Sequence, residues 1–282
     1  MQRIAAIAIN TFRESVRQPV YGIILFSSLV LICFSPFFSM FTMSEDVKIM
    51  TDTGLATIFL AGLLLAAFSA SGVIWREIES KTVLTVITRP VSSLEFITAK
   101  FLGIIFSLVT ALYVLTLVFI LMIRIGAPET AGFTLDWPVA LGILGSLFVS
   151  LIIGGCANYF FNKNFVSTTI TSVVFLITTA FTVLCFFDKN FALQNFGVDI
   201  NWELAKVCVL LWFAIFILGA IATVLSTRIG VVMNMIACLV IFILGLLADH
   251  ILGELAYTNI AARIAYALVP NLQFFWLADA LT

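Results

Sequence analysis

Side chains able to do covalent chemistry are scarce in this sequence, and their spacing excludes most of what they could do. His250 is the sole histidine and follows Asp249 at the end of an apolar run. One imidazole cannot supply a bis-histidine haem or a histidine-based metal cluster, so the pair reads first as an interfacial polar pair. The five cysteines, Cys33, Cys156, Cys185, Cys208 and Cys238, lie within apolar runs with no CxxC spacing. They read as small core residues rather than disulfides or ligands. No GxxxxGK[ST] phosphate loop occurs. The chain alone is therefore expected not to be an ATPase, and no catalytic, cofactor-binding or metal-ligating residue is assigned. Its net charge of -1 gives no basic footprint for nucleic acid.

The charged residues worth following gather in one segment, from Trp75 to Phe96. Glu77 and Glu79 open it, which suits a helix N-terminus, and Lys81 stands four residues after Glu77, a favourable helical pair. Pro90 disfavours helix at Arg89 and ends that helix. Ser92-x-x-Glu95 is a capping box that restarts one, running through Lys100 into the next apolar run. Composition alone reads this as a solvated connector bearing a short charged helix.

The elements holding this segment are membrane spans. Of the 282 residues, 62% are apolar and 10% charged, against roughly 25% charged in soluble proteins. Such a chain cannot cover a water-facing surface. In lipid the backbone must pair internally, as helices or a closed barrel, and runs of about 20 residues, apolar on all sides, are helical spans. Seven are predicted: 20–41, 54–75, 101–123, 138–161, 165–187, 204–225 and 229–248. The fourth and fifth are separated by Asn162, Lys163 and Asn164, the sixth and seventh by Ser226, Thr227 and Arg228, and each pair reads as a tight hairpin. Residues 1–19 form an amphipathic interfacial helix, with Arg3, Asn10, Arg13, Glu14 and Arg17 on one face and Ala5, Ala8, Ile9, Phe12 and Val16 on the other. Pro19 ends it, and Pro36 is expected to kink the first span.

With the N-terminus in the cytoplasm, nine basic residues fall inside and five outside, while four acids fall inside and eleven outside. This is the positive-inside pattern. The division is then an amphipathic helix over 1–19, a transmembrane domain over 20–252 with an inner loop at 76–100, and an outer interfacial tail over 253–282. In the tail, 260–269 and 272–281 are predicted as short interfacial helices anchored by Trp276. Uncharged polar residues within the spans, including Ser69, Ser71, Asn158, Thr168, Thr178 and Asn234, read first as helix–helix contacts. The alternative is a polar lining along a translocation path.

The inner loop also carries a resemblance. Phe12-Arg13-Glu14-Ser15-Val16-Arg17, then Trp75-Arg76-Glu77-Ile78-Glu79-Ser80-Lys81-Thr82, Thr88-Arg89-Pro90-Val91-Ser92, Phe96 and Lys100, and later Leu225-Ser226-Thr227-Arg228 and Pro270-Asn271-Leu272, resemble an ABC-2 type transporter permease of the bacterial inner membrane. Ala99 stands where the family often has glycine, and Ser93 where it often has arginine. Members of this branch continue past Pro-Asn-Leu into one more span, and the chain departs from them there. The resemblance implies an all-α, ABC-2 exporter-like fold and a permease without enzymatic activity. It also implies a cytoplasmic ABC ATPase subunit that binds ATP and magnesium, and a second permease copy or paralogue forming a dimer. In that family the loop between the second and third spans is a coupling helix. Carried over, Glu77, Glu79, Lys81, Thr82 and Arg89 would face the ATPase. The rival expectations are a secondary carrier, or a membrane-embedded assembly factor without an ATPase.

Overall fold

A computed structural model describes residues 2–39, 46–79, 93–126, 136–258, 260, 263, 266 and 270–275. Among these the chain is helical, and seven helices are long and apolar enough to cross a membrane. An amphipathic helix α1 (Gln2–Arg17) comes first. It is followed by α2 (Pro19–Ser39) and α3 (Asp46–Ala70). A π turn (Ser71–Trp75) joins α3 to the short α4 (Arg76–Glu79). Then come α5 (Ser93–Ile125), α6 (Trp137–Phe161), α7 (Phe165–Leu184), α8 (Trp202–Leu225) and α9 (Val231–Thr258). The spans define two ends, called here the α1 face and the opposite face.

Burial orders the helices. Of the apolar stretches of α3 and α5, 78% and 72% are buried, against 22%, 17% and 22% for α6, α7 and α9. α3 and α5 are therefore the centre, and α6, α7 and α9 turn side chains such as Phe148, Phe160, Phe175 and Val232 outward. Outward apolar side chains are stable in lipid, so this periphery is what a membrane protein requires. Close approach at the centre depends on small residues. A Cβ at Gly54 would collide with the Phe119 ring, and one at Gly62 with the Ile215 side chain, so α3 meets α5 and α8 through its glycines.

The turns follow local chemistry. Asn162 takes φ 51°, the left-handed conformation asparagine tolerates, and closes α6. The Asn164 side chain accepts from Ser167 N at 3.0 Å and opens α7. The Asn158 amide donates to Lys163 O at 2.8 Å across the same turn. Asn201 accepts from Glu203 N at 3.1 Å, capping α8.

On the opposite face a buried arginine gathers four segments. Arg124 Nε donates to Asp136 Oδ2 at 3.0 Å, Nη1 to Leu184 O at 2.8 Å and Nη2 to Phe187 O at 2.6 Å. Asp199 Oδ2 lies 3.8 Å from Nη2. Both Arg124 and Asp136 are buried. Asp136 also caps α6, accepting from Val139 N at 3.2 Å. The positive-inside reading placed Arg124 simply in an outer segment. Its guanidinium instead ties the end of α5 to the start of α6, the end of α7 and the loop before α8.

The structure sharpens three sequence expectations. α1 buries Ala8, Thr11, Ser15 and Val16, whereas Ile9, on the apolar face of the wheel, is exposed. The reason is Gly103 on α5, where a Cβ would lie 2.5 Å from Ala8 O and 2.5 Å from Thr11 Cβ. Only a stripe of small side chains fits against that approach, so the bulkier apolar side chains point elsewhere. The fifth span ends at Leu184 rather than Phe187, because Leu184 and Phe187 give their carbonyls to Arg124. Within the predicted 272–281 helix, the described residues form a single 3-10 turn at Gln273–Phe275. Leu272 is buried, its N–H donating to Gly245 O at 3.1 Å, so this residue packs against α9. Trp276 lies outside the described residues.

Candidate functional site

The segment singled out by its charges leaves the protein centre through α3 and returns through α5, and the structure of its two stems defines the site. α3 does not end at Ala70 but widens into the π turn and continues to Glu79. A π turn breaks the regular backbone ladder and is common at functional sites. Here it is held from two sides. Asn234 of α9, fully buried, donates through Nδ2 to Ser71 Oγ at 2.7 Å and to Ala222 O of α8 at 3.2 Å. The missing Cβ of Gly72 leaves room for the Gln18 side chain, whose Oε1 lies 2.5 Å from where that Cβ would be. The turn is thus tied to α8, α9 and the junction between α1 and α2.

Beyond the turn, the two stems meet at an ion pair. Lys100 of α5 is 2% exposed, and its Nζ donates to Glu77 Oε1 at 2.7 Å. Glu14 Oε2 of α1 approaches the same nitrogen at 3.9 Å. The Phe96 ring lies on the other side, with its centroid 5.6 Å from Nζ, a cation–π distance. One ammonium therefore joins α4, α5 and α1. Burial raises the Glu14 carboxyl above the usual carboxylate range, and the neighbouring Glu77 adds to the rise, while Lys100 and Arg76 oppose it.

The sequence-predicted site residues separate clearly. Glu77 is half-buried and turned to Lys100, whereas Glu79 is exposed. Lys81, Thr82 and Arg89 lie outside the described residues, as do Pro90 and Ser92. Glu77 and Glu79 do not open a new helix. They stand on the helix that continues α3 without a break, and Lys100 pairs with Glu77 across the stems. Sequence reasoning missed Lys100 as the joint, Glu14 as its second neighbour, and Asn234 as the support of the π turn. Lys100 had one legible signal, a lysine immediately before a long apolar run, which must find a partner or reach the interface.

Some uncharged polar groups deeper in the spans link one helix to another. Tyr21 Oη donates to Ser107 O at 2.7 Å, Trp212 Nε1 donates to Thr116 Oγ1 at 3.2 Å, and Tyr113 Oη lies 3.1 Å from Thr178 Oγ1. Thr168, Thr171, Thr179 and Thr182 bond carbonyls one turn back on their own helix. All five cysteines are free thiols. Among the described residues no group of three or more histidine, cysteine or acidic side chains is placed to hold a metal. The arrangement around Lys100 links α4, α5 and α1 by charge. Comparison with protein-family models, curated proteins and solved structures returned no match.

Proposed function

We propose that the chain is the permease subunit of an ABC-2 type exporter. It forms the translocation path across a bacterial inner membrane, with its α1 face in the cytoplasm. A separate ABC ATPase, with ATP and magnesium bound there, supplies the energy, and a second permease copy or paralogue completes the path.

One observation carries this reading. The two most buried spans, α3 and α5, are those that enter and leave segment 80–92, and the Lys100–Glu77 bond at 2.7 Å locks their stems together. Displacement applied to that segment is delivered to the protein centre through a rigid joint, as energy coupling by a docking subunit requires. Glu79, exposed beside the segment, would face the ATPase, with Lys81, Thr82 and Arg89 continuing that surface. The paired Glu77 would hold the joint rather than meet the partner.

The test is ATPase retention on the purified permease. Reversing Glu79 to lysine or Arg89 to glutamate breaks a docking charge pair, which costs about 2–5 kcal/mol when such a pair becomes buried. The complex loosens more than about tenfold and transport falls, while membrane abundance is unchanged. A chain that purifies as a stable monomer and transports without ATP refutes the reading.

A further inference from the structure

Two cavities near the junction of α1 and α2 share a wall. The first is polar, about 590 Å³, and is lined by Arg13, Glu14, Arg17 and Gln18 from the first helix and its turn, by Pro19, and by Arg76. The second is apolar, about 460 Å³, and runs between α2 and the α6–α7 hairpin, from Pro19 and Gly22 to Leu29 on one side and along Leu151, Val166 and Val173 on the other. Pro19 lines both. We infer that together they form a binding site for one anionic phospholipid of the leaflet at the α1 face. Its phosphate lies among the arginines and one acyl chain lies in the groove.

Charge supports the headgroup half. Three guanidiniums line the polar cavity against one carboxylate, and that carboxylate is drawn toward Lys100 at 3.9 Å. Arg13 and Arg17 are exposed and stand one helical turn apart, where like charges repel. A bound anion converts that repulsion into bidentate attraction. Asn10 and Gln18 add uncharged polar side chains to the lining of the same cavity. Depth supports the tail half. Pro19 to Leu29 rises about 15 Å at 1.5 Å per residue, half of a ~30 Å hydrocarbon core. The groove therefore matches one leaflet, beginning at the level where α1 lies. Its volume falls in the range of specific small-molecule sites, about 300–1,000 Å³. A neighbouring protein helix could fill the groove, but it would leave the arginines unanswered. An acidic protein surface could answer the arginines, but it could not reach down α2.

The inference concerns α1, α2, α6 and α7 and does not depend on the permease reading. Delipidated, purified full-length protein is titrated with phosphatidylglycerol, phosphatidylcholine or inorganic phosphate, with bound lipid read by native mass spectrometry. The wild type retains one phosphatidylglycerol per chain, binds phosphatidylcholine on the order of tenfold more weakly, and is not saturated by phosphate. Arg13→Gln with Arg17→Gln abolishes the headgroup preference. Leu151→Trp, which fills the groove, weakens both lipids together and leaves the arginines untouched. Because the two variants alter opposite ends of the site, a folding defect in one does not remove the other arm. Equal binding of the two lipids by the wild type overturns the inference. So does unchanged phosphatidylglycerol binding in Leu151→Trp, and so does an unchanged headgroup preference in the arginine double variant.

Discussion

Replacing Asp136 by asparagine tests the buried guanidinium network most sharply. Asparagine keeps the shape of the side chain and still caps α6, so the change removes charge and little else. Arg124 would retain its bonds to Leu184 O and Phe187 O but lose the carboxylate 3.0 Å from Nε. The pair is essentially dry, with side-chain exposures of 2% and 0%, and breaking a buried pair costs about 3–5 kcal/mol. Asp199, 3.8 Å away and about one-third exposed, compensates in part, which places the expected loss near the lower end, about 3 kcal/mol. Asp136→Ala removes the cap as well and costs about 1 kcal/mol more. Arg124→Gln leaves Asp136 charged and buried and removes one of the donors to each of Leu184 O and Phe187 O, so it costs at least as much. The Arg124→Gln/Asp136→Asn double variant should fall short of the sum of the singles by about 1 kcal/mol or more, the sign of a coupled pair. The assay is reversible unfolding of purified protein in mixed micelles against increasing denaturing detergent. Single-variant losses below about 1 kcal/mol, the size of an exposed pair, or strict additivity in the double, would refute the claim that this network fastens the opposite face.

Gly103→Ala places a Cβ 2.5 Å from the Ala8 carbonyl oxygen, which is backbone and cannot swing aside. α1 must lift from α5 at an overpacking cost of about 1–3 kcal/mol, and trypsin should cut faster after Arg17; wild-type cleavage rates would mean α1 is not seated there. Glu14 gives a pH dependence. Its folded carboxyl is raised above the usual 4.5 by burial, so the folded state binds its proton more tightly than the unfolded chain does. Stability relative to Glu14→Gln should therefore fall as pH rises from 4.5 through that raised value, then level off. Paired thermal melts check it, and the opposite slope refutes it.

The spans were legible because lipid imposes one rule on every residue: a helix apolar on all sides and long enough to cross needs no tertiary information to be recognised. The asparagines at 162 and 164 were legible for a similar reason, since their capping chemistry is local. What escaped the sequence depends on a partner distant in the chain. Arg124 looked like any loop arginine until Leu184, Phe187 and Asp199 were brought around it. The buried stripe of α1 is set by Gly103, so the apolar face of the wheel pointed to Ile9 while the small residues Thr11 and Ser15 were the ones enclosed. Segment 75–96 carried most of the sequence argument for coupling. Of the residues assigned there, the described part shows Glu77 turned inward to Lys100 and Glu79 exposed.

The glycine contact between α3 and α8 also bears on how the chain is built. Helices leave the ribosome in order, and the hairpin of α6 and α7 can close on itself as soon as α7 (Phe165–Leu184) has emerged. α3 cannot complete its packing then, because the surface around Gly62 waits for Ile215, which is made after five of the seven spans. Until α8 arrives, the helix that is most buried in the finished protein keeps a bare flank. A chain interrupted before that point exposes its own centre to lipid and to the proteases that survey the membrane. α8 thus acts as the closing stave, and its arrival becomes the condition for the core around Gly62 to close.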